Sequence, residues 1–375
     1  QSKNKMKFST SKLELQKALQ KLSKATPTRT TLPILGCVFV EATEEKTLLK
    51  TTDLEITIQV EVPSSLEEPG KAAVPLKTLL EITNELPEIR LTISVNQKNN
   101  VTIKTDLGEY DIMARPHEEF PATPEQNETK NIAINGRIFK KVVNATIFAV
   151  SRDELKPALT GVLMQFSQEG VTAVSTDGHR LVKYVRKDLK AEGFLGDIVV
   201  PKKFLSYLSS QLPDEEIILS VGESHLMASF NNDIILTRVI NEKFPDYQSV
   251  IPKENNKKLR IEKDVLLGAI RRVSIFSNKS THQVALSLQK DSLKIKTEDP
   301  EKSSKGEESV LAEYEGDPIV IGYNAEYLKD IISHVQSEVV EIELSTPVSA
   351  ALFNPGSKKE NSESLMLLMP IRLND

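Results

Sequence analysis

The segment Ser175-Thr176-Asp177-Gly178-His179-Arg180-Leu181 gathers two hydroxyls, a carboxylate, an imidazole and a guanidinium within one short run. Those residue types could serve acyl transfer, with Ser175 as nucleophile, His179 as base and Asp177 as the orienting acid. The spacing argues against it. On a strand successive side chains alternate faces, and the members of a triad normally converge from separate segments. The chain also lacks the G-x-S-x-G, G-x-x-x-x-G-K-[ST] and H-E-x-x-H patterns. Its histidines, 117, 179, 225, 282 and 334, include no pair at ligand spacing. The single cysteine, Cys37, excludes an internal disulfide and any CxxC site, fits a reducing cytosol, and reads as a small buried hydrophobe. No catalytic residue, metal site or cofactor is expected.

The elements that carry this segment recur along the chain. Asp53 in LKTTDLEITI, Asp177 in AVSTDGHRLV and Asp299 in IKTEDPEKSS lie at intervals of 124 and 122 residues. Phe120-Pro121 and Phe244-Pro245 are again 124 apart, with Met369-Pro370 a further 125 on. VPLKTLLEITNELP (74–87) matches VPKKFLSYLSSQLP (200–213), and more weakly IGYNAEYLKDIISHV (321–335). Each copy opens with a short strand at Phe8, Ile132 or Leu259, followed by a helix. Leu15, Ala18, Leu19 and Leu22 have helical spacing, as do Phe139, Val142, Val143 and Thr146. Constant order and period predict three homologous domains: 6–129, 130–257 and 258–375. Alternating strands joined by polar turns, as in 91–103 around NQKNN, predict an α+β class with two helices per domain packed on antiparallel sheets. The shared aspartate then serves a turn. If Asp177 were catalytic, Asp53 and Asp299 would have no explanation.

Bulk properties agree with a globular chain. With 375 residues, 39% hydrophobic and 27% charged, more than one core is expected. No apolar run approaches 18 residues and the N-terminus has no apolar signal region, so neither secretion nor membrane spanning is expected. Residues 1–5 precede Met6 and read as an expression remnant. Net charge is −5, which alone argues against nucleic acid, but its distribution does not. First helices at 12–24, 137–150 and 264–272 with second helices at 76–86, 202–212 and 324–335 hold thirteen Lys and Arg against six Asp and Glu. The remainder holds 35 against 47. Lys77, Lys202 and Lys203 fall in the first turn of their helices, where the macrodipole opposes them by about 0.3–1 kcal/mol. A single lysine so placed is simply solvated. The same bias over several helices points to an outside demand such as a phosphate backbone.

TLPILG (31–36), TDLE (52–55), TDGHRL (176–181), FPDY (244–247) and MPIRL (369–373) in three repeats resemble the bacterial sliding-clamp family, the β subunit of the DNA polymerase III holoenzyme. The resemblance spans Met6 to Leu373. It implies the DNA clamp fold and a head-to-tail dimeric ring: a homodimer of six domains that encircles double-stranded DNA, reads no sequence, and gives processivity to the replicative polymerase. Twelve helices at roughly 8–10 Å spacing leave a hole of some 20–28 Å, wide enough for a duplex. The implied partners are the polymerase catalytic subunit, the clamp loader and other proteins bearing a clamp-binding peptide, with no membrane, in a bacterial cytoplasm at the nucleoid. The alternative is a non-ring, three-repeat DNA-binding scaffold.

By the same resemblance, a peptide pocket is carried by Leu159, Thr176, Gly178, His179, Arg180, Leu181, Pro245, Val250, Val348, Leu367, Leu368, Met369, Pro370, Ile371 and Arg372. Leu159, Leu181, Val250, Val348 and Met369 would form an apolar floor, and His179 and Arg180 would hold polar groups of the peptide. Arg29, Lys77, Lys202 and Lys203 match DNA-facing positions. Tyr110 and Ile112 match one side of the dimer interface, Ile275 and Phe276 the other. Three departures bear on peptide preference: Lys156-Pro157 at a pocket edge, Ser249 where a basic residue can occur, and Asn374-Asp375 beyond the usual terminal leucine. Pro157 and Ala158 also replace bulkier residues that can touch DNA.

Overall fold

The computed structural model describes residues 5–124 and 128–373. The chain folds into two compact units. One takes the chain up to Gly136 and returns for Ser210–Val239; the other holds Arg137–Ser209 and the chain from Ile240 onward.

Among the described residues six α-helices lie where the sequence places them: α1 Lys12–Leu22, α2 Leu76–Glu85, α3 Gly136–Thr146, α4 Lys202–Gln211, α5 Lys263–Ser274 and α6 Ala325–His334. Helix α1 starts at Ser11, whose hydroxyl accepts from the Glu14 amide at 3.2 Å, and α6 starts at Asn324, whose side chain accepts from the amides of Glu326 and Tyr327. The predicted apolar stripes are buried: Leu15, Ala18, Leu19 and Leu22 on α1, and Phe139, Val142, Val143 and Thr146 on α3. Each such leucine stabilises by about 1.5–3 kcal/mol.

In the first unit a five-stranded sheet runs in the order Ser65–Glu68, Met6–Ser11, Arg90–Val95, Asn100–Lys104, Glu109–Met113. An eight-stranded sheet runs Lys130–Asn135, Glu216–Val221, His225–Phe230, Asp233–Arg238, Ile56–Val62, Thr47–Thr52, Cys37–Ala42, Gly70–Pro75. Helices α1 and α2 pack together, and α1 covers strand Ile56–Val62. That strand alternates buried and half-buried residues, as period two requires.

The second unit repeats the plan. A nine-stranded sheet contains Gly161–Ser167, Gly170–Thr176, Arg180–Arg186, Ser362–Leu368, Ala351–Pro355, Val339–Leu344 and Lys257–Glu262 as its consecutive inner strands. A four-stranded sheet runs Ser304–Leu311, Ser292–Asp299, Gln283–Gln289, Ile319–Asn324, and α5 packs on α6 and on its first two strands.

The units do not follow the repeat borders because the large sheets cross them. Asp233–Arg238 of the second copy pairs antiparallel with Ile56–Val62 of the first, Ile235 opposite Ile58. Ser362–Leu368 of the third copy pairs in the same way with Arg180–Arg186 of the second, Met366 opposite Val182. Backbone hydrogen bonding thus fuses neighbouring repeats.

Candidate functional site

The turn at Asp177 is built entirely from its own residues. Asp177 Oδ1 accepts from the His179 amide at 2.9 Å and the Arg180 amide at 3.1 Å. Thr176 Oγ1 donates to the Arg180 carbonyl and accepts from the Gly178 amide. The first copy repeats it: Asp53 Oδ1 accepts from Glu55 and Ile56, and Thr52 Oγ1 donates to the Ile56 carbonyl and accepts from Leu54. Both turns need a positive φ at their tip, +91° at Gly178 and +76° at Leu54. One residue before each threonine, Ser175 and Thr51 donate to the carbonyls of Thr146 and Leu22 at the ends of α3 and α1. The third copy departs. Asp299 is buried, accepts from Asn278 Nδ2, and is followed by a 3-10 turn at Pro300–Lys302. The expectation of one shared turn therefore holds for two copies; Pro300 has no amide hydrogen to give the third.

Arg180 is drawn inward from the turn. Its guanidinium is buried and makes three hydrogen bonds: Nε donates to Asp177 Oδ2 at 3.0 Å, Nη1 to Asp330 Oδ2 at 2.7 Å and Nη2 to the Phe148 carbonyl at 3.0 Å. The rings of Tyr327 and Phe148 cover it at 4.7 and 5.5 Å. These bonds tie the second copy to α6 and commit three of the five guanidinium N–H donors within the chain. His179 is exposed and stacks on Tyr327.

Leu181 and Leu367 are buried with Leu163, Val174, Val199, Phe244, Tyr247, Ala350 and Leu352, and Leu159 packs against this cluster. They form its core. Above it Val250, Val348 and Met369 are 56%, 65% and 42% exposed. Met369 is fixed by its amide, which donates to the His179 carbonyl at 2.8 Å. Val250 ends the 3-10 turn of the buried Tyr247, and Val348 precedes buried Ala350 by two residues. Pro245 is exposed, and Thr176 is buried with its hydroxyl used in the turn. Leu368 is a second correction: it is wholly buried in the third-copy core with Leu259 and Phe353, so it lines no surface. Ile371 bridges to Gly322, which carries the chain after Pro370 onto the third-copy sheet; Arg372 there is exposed. Asn374 and Asp375 lie outside the described residues.

Lys77, Lys202 and Lys203 occupy the first turns of α2 and α4, as read from sequence. Neither helix has an acidic residue in that turn. Burial, then Arg152 and Arg180, push the Lys202 ammonium below its usual range. Lys77 and Arg29 are exposed. Ile275 and Phe276 follow α5 and are exposed, while Tyr110 and Ile112 are half-buried on the strand ending the five-stranded sheet.

Two repeat-crossing sheets, twin turns and paired helices describe a tandem architecture, and known families show the same one. The description DNA polymerase III beta subunit, N-terminal domain, matches residues 6–124, the central domain 133–246 and the C-terminal domain 248–372. The chain belongs to the DNA polymerase III beta subunit family. The beta sliding clamp of Pseudomonas putida is 29% identical over 374 residues, covering 98% of this chain and 100% of the relative. That of Chlamydia pneumoniae is 28% identical over 371 residues, covering 99% and 100%. The crystal structure of DNA polymerase III subunit beta from Pseudomonas aeruginosa superposes with a TM-score of 0.92 at 28% identity, covering 98% of this chain and 100% of that one. The Bacillus subtilis sliding clamp gives 0.92 at 25% over the same shares. The fold is the three-domain clamp fold, α+β with antiparallel sheets.

Two surface features had no sequence signal assigned to them. Leu155 is 91% exposed, four residues before Leu159 in the loop that carries Lys156 and Pro157. An isolated leucine in a polar loop reads as unremarkable until its exposure is seen. The Asp330 carboxylate, on α6, was missed because its partner Arg180 lies 150 residues away. Among the described residues no cluster of side chains could hold a metal, and no helix is long and apolar enough to cross a membrane.

Proposed function

We propose that the chain acts as a sliding clamp: a non-catalytic, cofactor-free homodimeric ring that encircles duplex DNA and tethers the replicative polymerase in the bacterial cytoplasm at the nucleoid. One observation carries the ring. Two junctions between repeats use the same pairing, the third hairpin strand of one copy against the central-sheet strand of the copy before it. The equivalents left over are Glu109–Met113 in the first copy and Ser304–Leu311 in the third, each ending its sheet. Pairing them between two chains, head to tail, closes an assembly of six repeats, with 6–129, 130–257 and 258–375 as its divisions.

Repeat equivalence also supplies a register. Tyr110 corresponds to Ile235, and Gly306 to Ile58, so Tyr110 falls opposite Gly306 of the other chain. A Cβ at Gly306 would lie 2.9 Å from the Phe276 ring, so this glycine leaves room beside Phe276 for an incoming ring. The same register sets Asp111 against Lys305. Exposed Leu107, Met113, Ile275, Phe276 and Leu311 are grouped at these two edges.

DNA would be held by Arg29, Lys77, Lys202 and Lys203 without base readout, which permits sliding. The polymerase catalytic subunit, the clamp loader and other proteins would dock a peptide over Leu159, Val250, Val348 and Met369, near Gly178, His179 and Pro245. Tethering raises the effective concentration of the polymerase at the template. The test is retention on DNA. The protein should have twice its chain mass in solution, remain on closed circular DNA and leave when the circle is cut. A monomer dissociating equally from both forms would instead indicate a non-ring scaffold.

A further inference from the structure

The first unit contains a cavity of about 370 Å³ at the junction of the first and second copies. It is bordered by the Asp53 turn, by Phe120-Pro121 and by the end of strand Asp233–Arg238. Repeat equivalence makes it the counterpart of the surface around Gly178 and Met369. Thr52 stands for Thr176, Leu54 for Gly178 and Phe120-Pro121 for Phe244-Pro245. Pairing register adds Leu236 for Leu367 and Arg238 for Met369, since Leu236 faces Thr57 as Leu367 faces Leu181. Beneath both lie matching apolar clusters, Leu35, Phe39, Ala73 and Phe120 here against Leu159, Leu163, Val199 and Phe244 there.

The chemistry of the two surfaces differs. Met369 gives way to Arg238, an exposed cation for which no ion pair is found among the described residues. Ala350 gives way to His225, whose Nδ1 is 2.8 Å from Ser224 Oγ and whose Nε2 is buried with no partner. Burial, and then Arg238, hold that imidazole below its usual range, so at neutral pH it is uncharged. In the tautomer whose Nδ1 accepts from Ser224, Nε2 carries a hydrogen that nothing among the described residues accepts. A buried orphan donor next to an unpaired guanidinium calls for an anionic acceptor. Among the described residues the one carboxylate on the lining, Glu55, already has an interaction of its own.

We propose that this cavity is a second peptide-docking site, which takes a segment carrying a carboxylate next to an apolar side chain. The carboxylate lies against Arg238 and His225, and the apolar side chain enters between Phe120, Pro121 and Leu236. The proposal rests on the peptide-docking reading of the Gly178–Met369 surface, whose geometry it shares. The two sites then select different partners, one apolar and one acidic, on the same chain.

The test uses the full chain labelled at leucine and methionine methyl groups and titrated with N-acetyl-Leu-Glu-amide. Saturable shifts are expected at Leu54 and Leu236. They should weaken about tenfold or more with N-acetyl-Leu-Gln-amide, or in an Arg238→Met chain, as the loss of one charge-assisted hydrogen bond requires. Shifts at Leu159 and Met369 report the other surface and should be unaltered by Arg238→Met. Silence at Leu54 and Leu236 up to roughly 10 mM probe, a weak-binding range, or equal affinity for both probes there, overturns the second site. A response at Leu54 and Leu236 alone upholds the second site and its selectivity, whereas shifts at Leu159 and Met369 alone overturn it and leave the apolar docking surface standing.

Discussion

Arg180 binds Asp177 across the turn that both residues build, Nε to Oδ2 at 3.0 Å, while the other oxygen of Asp177 holds the turn's amides. The aspartate thus shapes the loop at Gly178-His179 and anchors the arginine that reaches α6. Arg180→Ala removes three hydrogen bonds and leaves Asp177 largely buried. Because Asp330 is half exposed and can be hydrated, the expected loss is about 2–3 kcal/mol rather than the full penalty for a broken buried pair. Denaturant unfolding should show it, with faster hydrogen exchange at the His179 and Arg180 amides. Arg180→Lys should recover only part, since one ammonium cannot make the same fork.

The twin turns predict opposite responses to small substitutions. Gly178→Ala meets no atom within 4 Å, so its cost is backbone strain at φ +91° alone, about 1–2 kcal/mol. Leu54→Gly relieves the corresponding strain at φ +76° and should stabilise by up to about 1 kcal/mol. Thermal unfolding of the two variants should shift in opposite directions.

Lys21 and Asp233 form an ion pair of 2.6 Å between the first helix and the second-copy hairpin, with the aspartate side chain only 5% exposed. Burial raises the Asp233 carboxyl above its usual range, outweighing the lowering by Lys21. A carboxyl that binds its proton more readily folded than unfolded stabilises most at low pH, and that contribution is lost as pH rises through its folded value. Lys21→Met should cost about 3 kcal/mol at neutral pH, and the deficit should shrink as the pH is lowered. Asp233→Asn should stay within about 1 kcal/mol of the parent, because the half-buried lysine can return to water. A larger loss for Asp233→Asn than for Lys21→Met would contradict the assignment.

The proposed interface makes two predictions in one sedimentation experiment. Ile275→Asp with Phe276→Asp should yield monomer, since two buried carboxylates would face an apolar edge. Asp111→Cys with Lys305→Cys should cross-link chains under mild oxidation at the register derived from the repeats. Cross-linked dimer from Asp111→Cys with Glu308→Cys, out of that register, would refute it.

Removing the charge proposed to face DNA should alter DNA binding without altering assembly. Each of Lys77→Ala and Lys203→Ala should lower the dependence of log affinity on log salt by about 0.9 for each phosphate left without its cation. An unchanged slope would remove that lysine from the DNA surface.

Sequence alone determined much of this protein. The period between Asp53 and Asp177 reveals the tandem copies, the apolar stripes of α1 and α3 place their buried faces, and Lys77, Lys202 and Lys203 fall in the first turns of α2 and α4. These are local or periodic signals, carried by residues near one another or at a constant interval. Tertiary structure decided what depends on long-range partners. Arg180 looked available until Phe148, Tyr327 and Asp330 enclosed it, and Leu368 looked like surface until its strand put it on the inner face. Asp299 shared the sequence position of a turn but not the turn, because the following Pro300 lacks the amide its siblings use. The groove at Arg238 was invisible because its walls come from three segments that only the pairing of Asp233–Arg238 with Ile56–Val62 brings together. Pairing across a repeat border is a choice of partner strand, and no residue pattern within either strand records which partner was chosen.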